Sequence, residues 1–118
     1  MKLTDANEAQ KTLRKLQQGV AFIRQSESEF SIVALHALLI IASDEGCTVS
    51  DVQAKLGVTK AAASRNVHTL GDQDNRRGDL PPMGLISIKV DSADIRRKRL
   101  YLTDKGRGFL NGLADIIN

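Results

Sequence analysis

The side chains of segment 60–70 have the types and spacing that base reading in duplex DNA requires. Arg65 can form two parallel hydrogen bonds with a guanine edge or bind a phosphate, and a residue as small as Ala61 can contact a thymine methyl group. Lys60 and Thr69 suit phosphate oxygens, which position a helix without reading sequence. An ordinary solvated helix face is the alternative interpretation. The candidate DNA-contacting residues here are Thr59, Lys60, Ala61, Ala62, Ser64, Arg65, His68 and Thr69.

A second group of candidate DNA ligands lies further along the chain, in a predicted β-hairpin. Arg96 and Arg97 lie near its tip, where they can enter a narrow minor groove, whose negative potential is enhanced. A carboxylate such as Asp94 is not expected to contact DNA, which is itself negatively charged. We therefore interpret Asp94 as a hydrogen-bond acceptor that orders the tip by pairing with Arg96 or Arg99. Because such an ion pair is exposed, it contributes little to folding stability, and its role is to orient the arginine.

Two short helices around a glycine turn must position the first group. Thr48 or Ser50 is the predicted N-cap of the first helix, and Thr59 is the predicted N-cap of the second, over 60–70. Gly57 between them can adopt a positive φ without a Cβ clash. The residues of the second helix that we expect in the core are spaced i, i+4, i+7 and are Ala63, Val67 and Leu70.

Two alternating strands must position the second group. A polar, basic segment connects them, so residues 86–102 are predicted to form a wing, to which Cys47–Val49 adds a short strand. The preceding loop, 71–84, is rich in turn formers, and its Arg76 and Arg77 either reach phosphate or are simply solvated. The apolar residues that alternate with polar ones are Ile86, Ile88, Val90, Leu100 and Leu102.

Three further helices are predicted to support these elements. Segment 5–23 carries an apolar stripe that either covers its own core or, as we favour, packs against a second subunit. Segment 29–43 is apolar nearly all round and is predicted to be the buried central helix, with His36 as a core residue rather than a ligand. A final helix is predicted over 104–117. The stripe residues of 5–23 are Ala6, Ala9, Leu13, Leu16, Val20 and Ile23.

Length and charge agree with one small domain that binds a polyanion. The 118 residues suggest one core, and the net charge is +3 with an isoelectric point near 9.2. Residues 1–57 carry 6 basic and 7 acidic side chains, whereas residues 58–108 carry 11 basic and 6 acidic ones. The chain has one tyrosine and three phenylalanines, too few to favour base stacking with single strands. Solubility is the alternative explanation of the positive charge.

Neither catalysis nor a cofactor is predicted. The two histidines and one cysteine form no metal-ligand spacing and no nucleophile–base pair, and no phosphate-binding glycine loop is present. Cys47 cannot form an intrachain disulfide, which favours a reducing compartment. We interpret it as a structural thiol, with a redox sensor as the alternative. The sequence has no signal peptide and no apolar run of ~20 residues, so neither export nor a membrane span is predicted.

Three pieces of the sequence resemble the MarR family of winged-helix regulators. VSDVQAKLGVTKAAASRNVHTL is similar to that family's helix-turn-helix, DIRRKRLYLT to its wing, and LTDKGRGFL to its entry into the last helix. The resemblance implies a mainly α fold with a small β-sheet, a winged helix-turn-helix. It also implies a homodimeric transcription regulator, often a repressor, that binds double-stranded DNA in a cytoplasm of bacterial or phage type.

The resemblance carries the family's residue roles to matching positions. Arg96 matches the minor-groove arginine of the wing and Asp94 the acid that steadies it, while Ser64 and Arg65 match exposed positions of the recognition helix. No small-molecule effector is supported by any residue pattern. A winged-helix adaptor that binds proteins without reading DNA is the alternative function.

Two features depart from the family's pattern. The loop 71–84 is longer than the family's usual link into the wing, and one helix follows the wing where the family usually has a further long dimerisation helix. We predict a single winged-helix domain over 1–118, in which 5–23 and 104–117 are dimerisation or support helices.

Overall fold

Five helices and three strands make up the parts of the chain that the structure, a computed structural model, describes: residues 6–26, 30–71 and 82–118. The chain divides into two compact units. Residues 31–107 form the first, here called the winged unit; residues up to 30 and from 108 onward form the second, the helical unit. The elements in chain order are α1 (Ala6–Ser26), α2 (Ile32–Ser43), β1 (Cys47–Thr48), α3 (Val49–Leu56), α4 (Lys60–Leu70), β2 (Ile86–Val90), β3 (Lys98–Leu102) and α5 (Asp104–Ile117).

The helix-turn-helix forms from local capping signals. Thr48 accepts a hydrogen bond from the Asp51 backbone N–H, and the Asp51 carboxylate accepts one from the Thr48 N–H, which closes a capping box at the start of α3. Gly57 follows α3 with φ of 68°. The Thr59 hydroxyl accepts from the Ala62 N–H and begins α4. The predicted turn and the predicted cap of α4 are confirmed, and of the two candidates for the α3 cap it is Thr48 that serves.

The three strands form one antiparallel sheet in the order β1-β3-β2. In its register Leu100 of β3 lies opposite Cys47 on one side and Ile88 on the other. The wing predicted over 86–102 is confirmed, as is the short third strand beside it. β3 is therefore the central strand, and β1, which follows α2 in the chain, pairs with one of its edges.

One apolar core fills the winged unit. Ala63, Val67 and Leu70 of α4 are buried there, as their spacing predicts. Cys47 is also buried, and this burial raises the pKa of its thiol. The largest fully buried side chains of the core are Leu38, Ile41, Leu70, Leu85, Ile86, Leu100, Val52 and Val67.

Helix α2 contributes one face to the core, so the predicted central buried helix is confirmed for that face and wrong for the opposite one. Ala34, Leu38 and Ile41 are buried, whereas Ile32 is 83% exposed and His36 is exposed. The expected core position of His36 is therefore wrong as well. Nearly every position of α2 is apolar, but the composition of a helix does not determine how many of its faces other elements cover.

The start of α5 is fixed against the chain segment that leads into β2. The Thr103 hydroxyl donates to the Gly84 carbonyl at 2.6 Å and accepts from the Gly106 N–H at 3.0 Å, which makes Thr103 a cap. The Lys105 Nζ donates to the Met83 carbonyl at 2.7 Å. Gly106 lies directly against the Leu85 carbonyl, where a Cβ atom would overlap the oxygen. This first turn of α5 has no free space at the Gly106 position.

The helical unit packs α1 against the later part of α5 through aromatic rings. Phe109 stacks on Phe22 with ring centroids 5.6 Å apart and on Phe30 at 5.7 Å. Gly112 permits this approach, because a Cβ there would lie 2.8 Å from the Phe22 ring. In the predicted stripe of α1, Ala9 and Ile23 are buried, but the three apolar residues between them are 45–55% exposed: Leu13, Leu16 and Val20.

Helix α1 ends at Ser26, three residues beyond its predicted end at residue 23.

No helix within the described ranges is long and apolar enough to cross a bilayer.

Candidate nucleic-acid interface

A basic groove in the winged unit lies between α4, the start of α3 and the wing. Its volume is about 610 Å³. Helix α4 contributes Lys60, Ser64 and His68 to the lining. The groove is completed by Thr48, Val49, Ser50 and Asp51 from the start of α3 and by Asp94, Arg96, Arg97, Lys98 and Arg99 from the wing. Three of the candidates around α4 and the candidates of the wing therefore face one shared space.

Five of the eight candidates around α4 lie outside this lining. Arg65, which follows Ser64 in the chain, is exposed, and so is Ala61. Ala62 is half-buried. The hydroxyls of Thr59 and Thr69 already bond to their own helix: Thr59 accepts from the Ala62 N–H, and Thr69 donates to the Arg65 carbonyl at 2.9 Å. Arg76 and Arg77 lie outside the residues that the structure describes.

Hydrogen bonds within the wing tip fix its conformation. Asp94 Oδ1 accepts from the Arg96 backbone N–H at 3.0 Å and from Arg96 Nε at 3.3 Å. The Arg97 N–H donates to the Asp94 carbonyl at 2.9 Å, which closes a turn, and Asp91 Oδ1 accepts from the Ala93 N–H. The Arg96 side chain is still 89% exposed. Asp94 thus orients Arg96 without removing it from solvent.

Arg99 connects the stem of the wing to the turn that follows α2. Its Nε donates to Asp91 Oδ2 at 3.0 Å, and its Nη1 donates to the Gly46 carbonyl at 2.8 Å. Arg99 therefore contacts Asp91, not Asp94. The bonds from the Ala93 N–H and from Arg99 hold the pKa of the Asp91 carboxyl below its usual range. Sequence reasoning did not identify Asp91, although its position eight residues before Arg99 across a predicted hairpin was a usable signal.

Glu45 in the same turn is a second contact that the sequence did not reveal. Its carboxylate accepts two hydrogen bonds from the Arg107 guanidinium, at 2.9 and 3.0 Å, and one from the Leu102 N–H at 2.8 Å. These bonds, first that of Arg107 and then that of Leu102, keep the pKa of Glu45 below its ordinary value. Glu45 therefore joins the end of β3 to the first turn of α5.

We expect Glu45→Gln to weaken the winged unit by about 1 kcal/mol or less at neutral pH, because one charged pair at a partly exposed site is lost. The folded-state pKa of Glu45 is lowered, so its contribution is present above the ordinary glutamate pKa of about 4.3 and is lost as the pH falls through the folded-state value. Urea unfolding at neutral and acidic pH measures this difference.

The matched control is Glu8→Gln, which removes an exposed glutamate of α1. The wild-type and Glu45→Gln proteins should converge in stability at acidic pH, and the deficit of Glu45→Gln at neutral pH should exceed that of Glu8→Gln. A Glu45→Gln deficit that stays constant from neutral to acidic pH would contradict the ionic role.

The charges of the groove favour a polyanion. Five Lys or Arg side chains and two carboxylates line it. Both carboxylates are already bonded: Asp51 accepts from the Thr48 N–H at 2.9 Å, which lowers its pKa, and Asp94 accepts from Arg96. Helix α4 beside a cationic hairpin has the form of a duplex-binding surface. Within the described residues no group of His, Cys, Asp and Glu side chains could hold a metal ion.

Comparison with known proteins finds a transcriptional regulator that is similar in sequence. No family model matches the sequence. The HTH-type transcriptional regulator TcaR of Staphylococcus aureus is 34% identical over 86 residues, which are 73% of this chain and 51% of TcaR. The chain thus spans about half the length of the curated relatives it matches.

Solved structures of MepR and MarR match nearly the whole chain. A point mutant of MepR from S. aureus, bound to an oligodeoxyribonucleotide, has a TM-score of 0.70 at 20% identity, and the match covers 98% of this chain and 77% of MepR. The crystal structure of MarR has a TM-score of 0.62 at 17% identity, and the match covers 93% of this chain and 74% of that one. At these identities the likeness concerns the fold.

Proposed function

We propose that this chain, which has the winged helix-turn-helix fold of the MarR family, binds double-stranded DNA and regulates transcription. Helix α4 enters the major groove, and the wing reaches the neighbouring minor groove. The observation that carries this proposal is the basic groove, in which Lys60 and Ser64 of α4 face the same space as Arg96 and Arg97 of the wing. We further propose that it acts as a repressor in the cytoplasm.

Known relatives support the proposal. MepR, whose fold this chain shares over nearly its whole length, is bound to an oligodeoxyribonucleotide in its structure, and TcaR is described as a transcriptional regulator. Arg65 is assigned to a base edge or a phosphate, while Lys60 at the first helical position is assigned to a phosphate. No cofactor and no effector enters the proposal.

The proposal is tested by selecting bound duplexes from a random pool and titrating the enriched duplex at two salt concentrations. We expect a palindromic motif, because half-sites mirror a two-fold dimer. The logarithm of affinity should fall with that of salt by about 0.9 for each phosphate contacted. Absence of enrichment would contradict the proposal. A stable protein complex together with DNA retention unaffected by Arg65→Ala and Arg96→Ala would favour the adaptor function instead.

We also propose that α1 and α5 mediate homodimerisation, and that residues 1–118 act as one DNA-binding domain. The exposed apolar residues Leu13, Leu16 and Val20 lie on one face of α1 and support this role. We expect Leu16→Glu to place a charge in the dimer interface, to shift the protein towards monomer, and to lower affinity for a palindromic duplex by tenfold or more, the equivalent of about 1.4 kcal/mol. Sedimentation and duplex titration measure the two effects.

Gln18→Glu is the matched control for this prediction, because it adds the same charge to an exposed position on a different face of α1. It should leave both the oligomeric state and the affinity unchanged. A Leu16→Glu protein that remains a dimer would show that this stripe is not the interface.

A further inference from the structure

Ile95 occupies a position for which an apolar residue is unexpected. The hydrogen bond from the Arg97 N–H to the Asp94 carbonyl closes a four-residue turn, and Ile95 lies at its first corner. The residue is 80% exposed. Corners of turns favour proline, glycine, asparagine, aspartate and serine, and a β-branched apolar residue has no conformational advantage there. Neither burial nor turn chemistry accounts for isoleucine at this position.

The exposure of Ile95 follows from an ordered tip rather than from a frayed end. The Asp94 carboxylate accepts from the backbone N–H of Arg96, and the Asp91 N–H donates to the Arg97 carbonyl at 2.8 Å. These bonds close the chain on both sides of Ile95, so the wing tip presents this side chain to solvent in a defined conformation. A preorganised apolar group costs little entropy when it enters a binding partner.

The immediate surroundings of Ile95 identify the partner by charge. Arg96 and Arg97 follow it directly, both are exposed, and both line the basic groove. Ile95 itself does not line that groove. The DNA contacts assigned to α4 and to the two arginines therefore give Ile95 no role. An apolar side chain carried on a cationic tip suits a polyanion with an apolar interior, which is the combination of phosphates and stacked bases in duplex DNA.

We propose that Ile95 is an apolar wedge that enters the minor groove, partly separates one base-pair step and bends the duplex. Proteins that bind the minor groove in this way insert isoleucine, leucine, phenylalanine or methionine between base steps, and the resulting kinks are about 20–90°. The inference rests on the proposed function, since it needs a wing that reaches duplex DNA, and it adds a deformation and a source of specificity to that function.

The wedge has a consequence for the choice of sequence. Steps such as TA and CA/TG unstack easily, whereas A-tracts are stiff. The operator should therefore carry a flexible pyrimidine–purine step where the wing tip contacts it, even though no side chain reads the base edges of that step. Replacing this step by AA in the selected duplex should lower the affinity of the wild-type protein on the order of tenfold, equivalent to one mismatched position.

The experiment compares the wild type with Ile95→Ala and Val90→Ala on the selected duplex. Val90 is the matched control, because it is another apolar residue of the same hairpin that is 58% exposed, but in the stem. Duplex bending is measured by energy transfer between dyes at the two ends. We expect the wild type and Val90→Ala to bend the duplex equally. Ile95→Ala should reduce the bend and abolish the preference for the flexible step, with the salt dependence unchanged.

The possible failures are distinguishable. If the wild-type protein forms no complex with any duplex, the proposed function is overturned and the wedge with it. If a stable, salt-sensitive complex forms on a straight duplex, or if Ile95→Ala bends the duplex as the wild type does, the proposed function stands and the wedge alone is overturned.

Discussion

Gly106→Ala is expected to destabilise the winged unit by about 3 kcal/mol or more, at or beyond the upper end of overpacking effects. The added Cβ would overlap the Leu85 carbonyl oxygen and lie 3.0 Å from the carbonyl carbon. That carbonyl cannot simply withdraw, because it accepts from the Thr103 N–H at 3.1 Å, while the Leu85 N–H donates to Leu70 at 2.9 Å. Either the start of α5 or the entry to β2 must move. Thermal or urea unfolding measures the loss.

Gly108→Ala in the same helix is the control for this prediction. No described atom lies within 4 Å of a Cβ added at Gly108. In an open helical position alanine is more favourable than glycine by about 1 kcal/mol, so this variant should be as stable as the wild type or more so. Equal stability of Gly106→Ala and Gly108→Ala would show that the contact at Leu85 relaxes without cost.

Arg96→Ala is expected to weaken binding to the selected duplex by about 1–3 kcal/mol, or about five- to 150-fold. Its guanidinium is exposed and is oriented by Asp94, so it is available to a phosphate or to the floor of the minor groove. The loss should come with a salt dependence reduced by about one phosphate contact if the arginine neutralises a phosphate. Because the side chain is 89% exposed, the unfolding midpoint should stay unchanged.

Lys55→Ala controls for the loss of one positive charge. Lys55 is an exposed cation of α3 that does not line the basic groove. Its substitution should change the affinity only slightly. If Lys55→Ala and Arg96→Ala lower the affinity equally, net charge rather than the groove determines binding, and the assignment of the wing to the duplex is wrong.

Local signals in the sequence were sufficient to predict the elements of the winged unit. The hydroxyl of Thr59, the conformational freedom of Gly57 and the alternation of Ile86 and Ile88 each act within a few residues, and each has the predicted effect. The winged helix-turn-helix fold is confirmed by solved structures that match nearly the whole chain. The predictions for individual DNA-contacting residues stay predictions.

Contacts between residues far apart in the sequence could not be predicted from such local signals. Glu45 and Arg107 are 62 residues apart, and nothing in the neighbourhood of either residue indicates the other. The exposure of His36 was missed for a related reason, because the number of neighbours around α2 depends on tertiary packing and not on its composition. The pairing of Arg99 with Asp91 rather than Asp94 depends on the hairpin register, which residue types alone left open.

The bond between Arg99 and the Gly46 carbonyl spans 53 residues, so its formation requires closure of a long segment of chain. The pair α3 and α4 is adjacent in the chain and can form early, whereas contacts of long sequence separation form late because the intervening chain must first be closed. We therefore expect the wing to dock beside α4 after the pair α3 and α4 has formed. We expect the proposed DNA retention to recover more slowly than helical circular dichroism after dilution from denaturant, because the helices would form before the wing is docked.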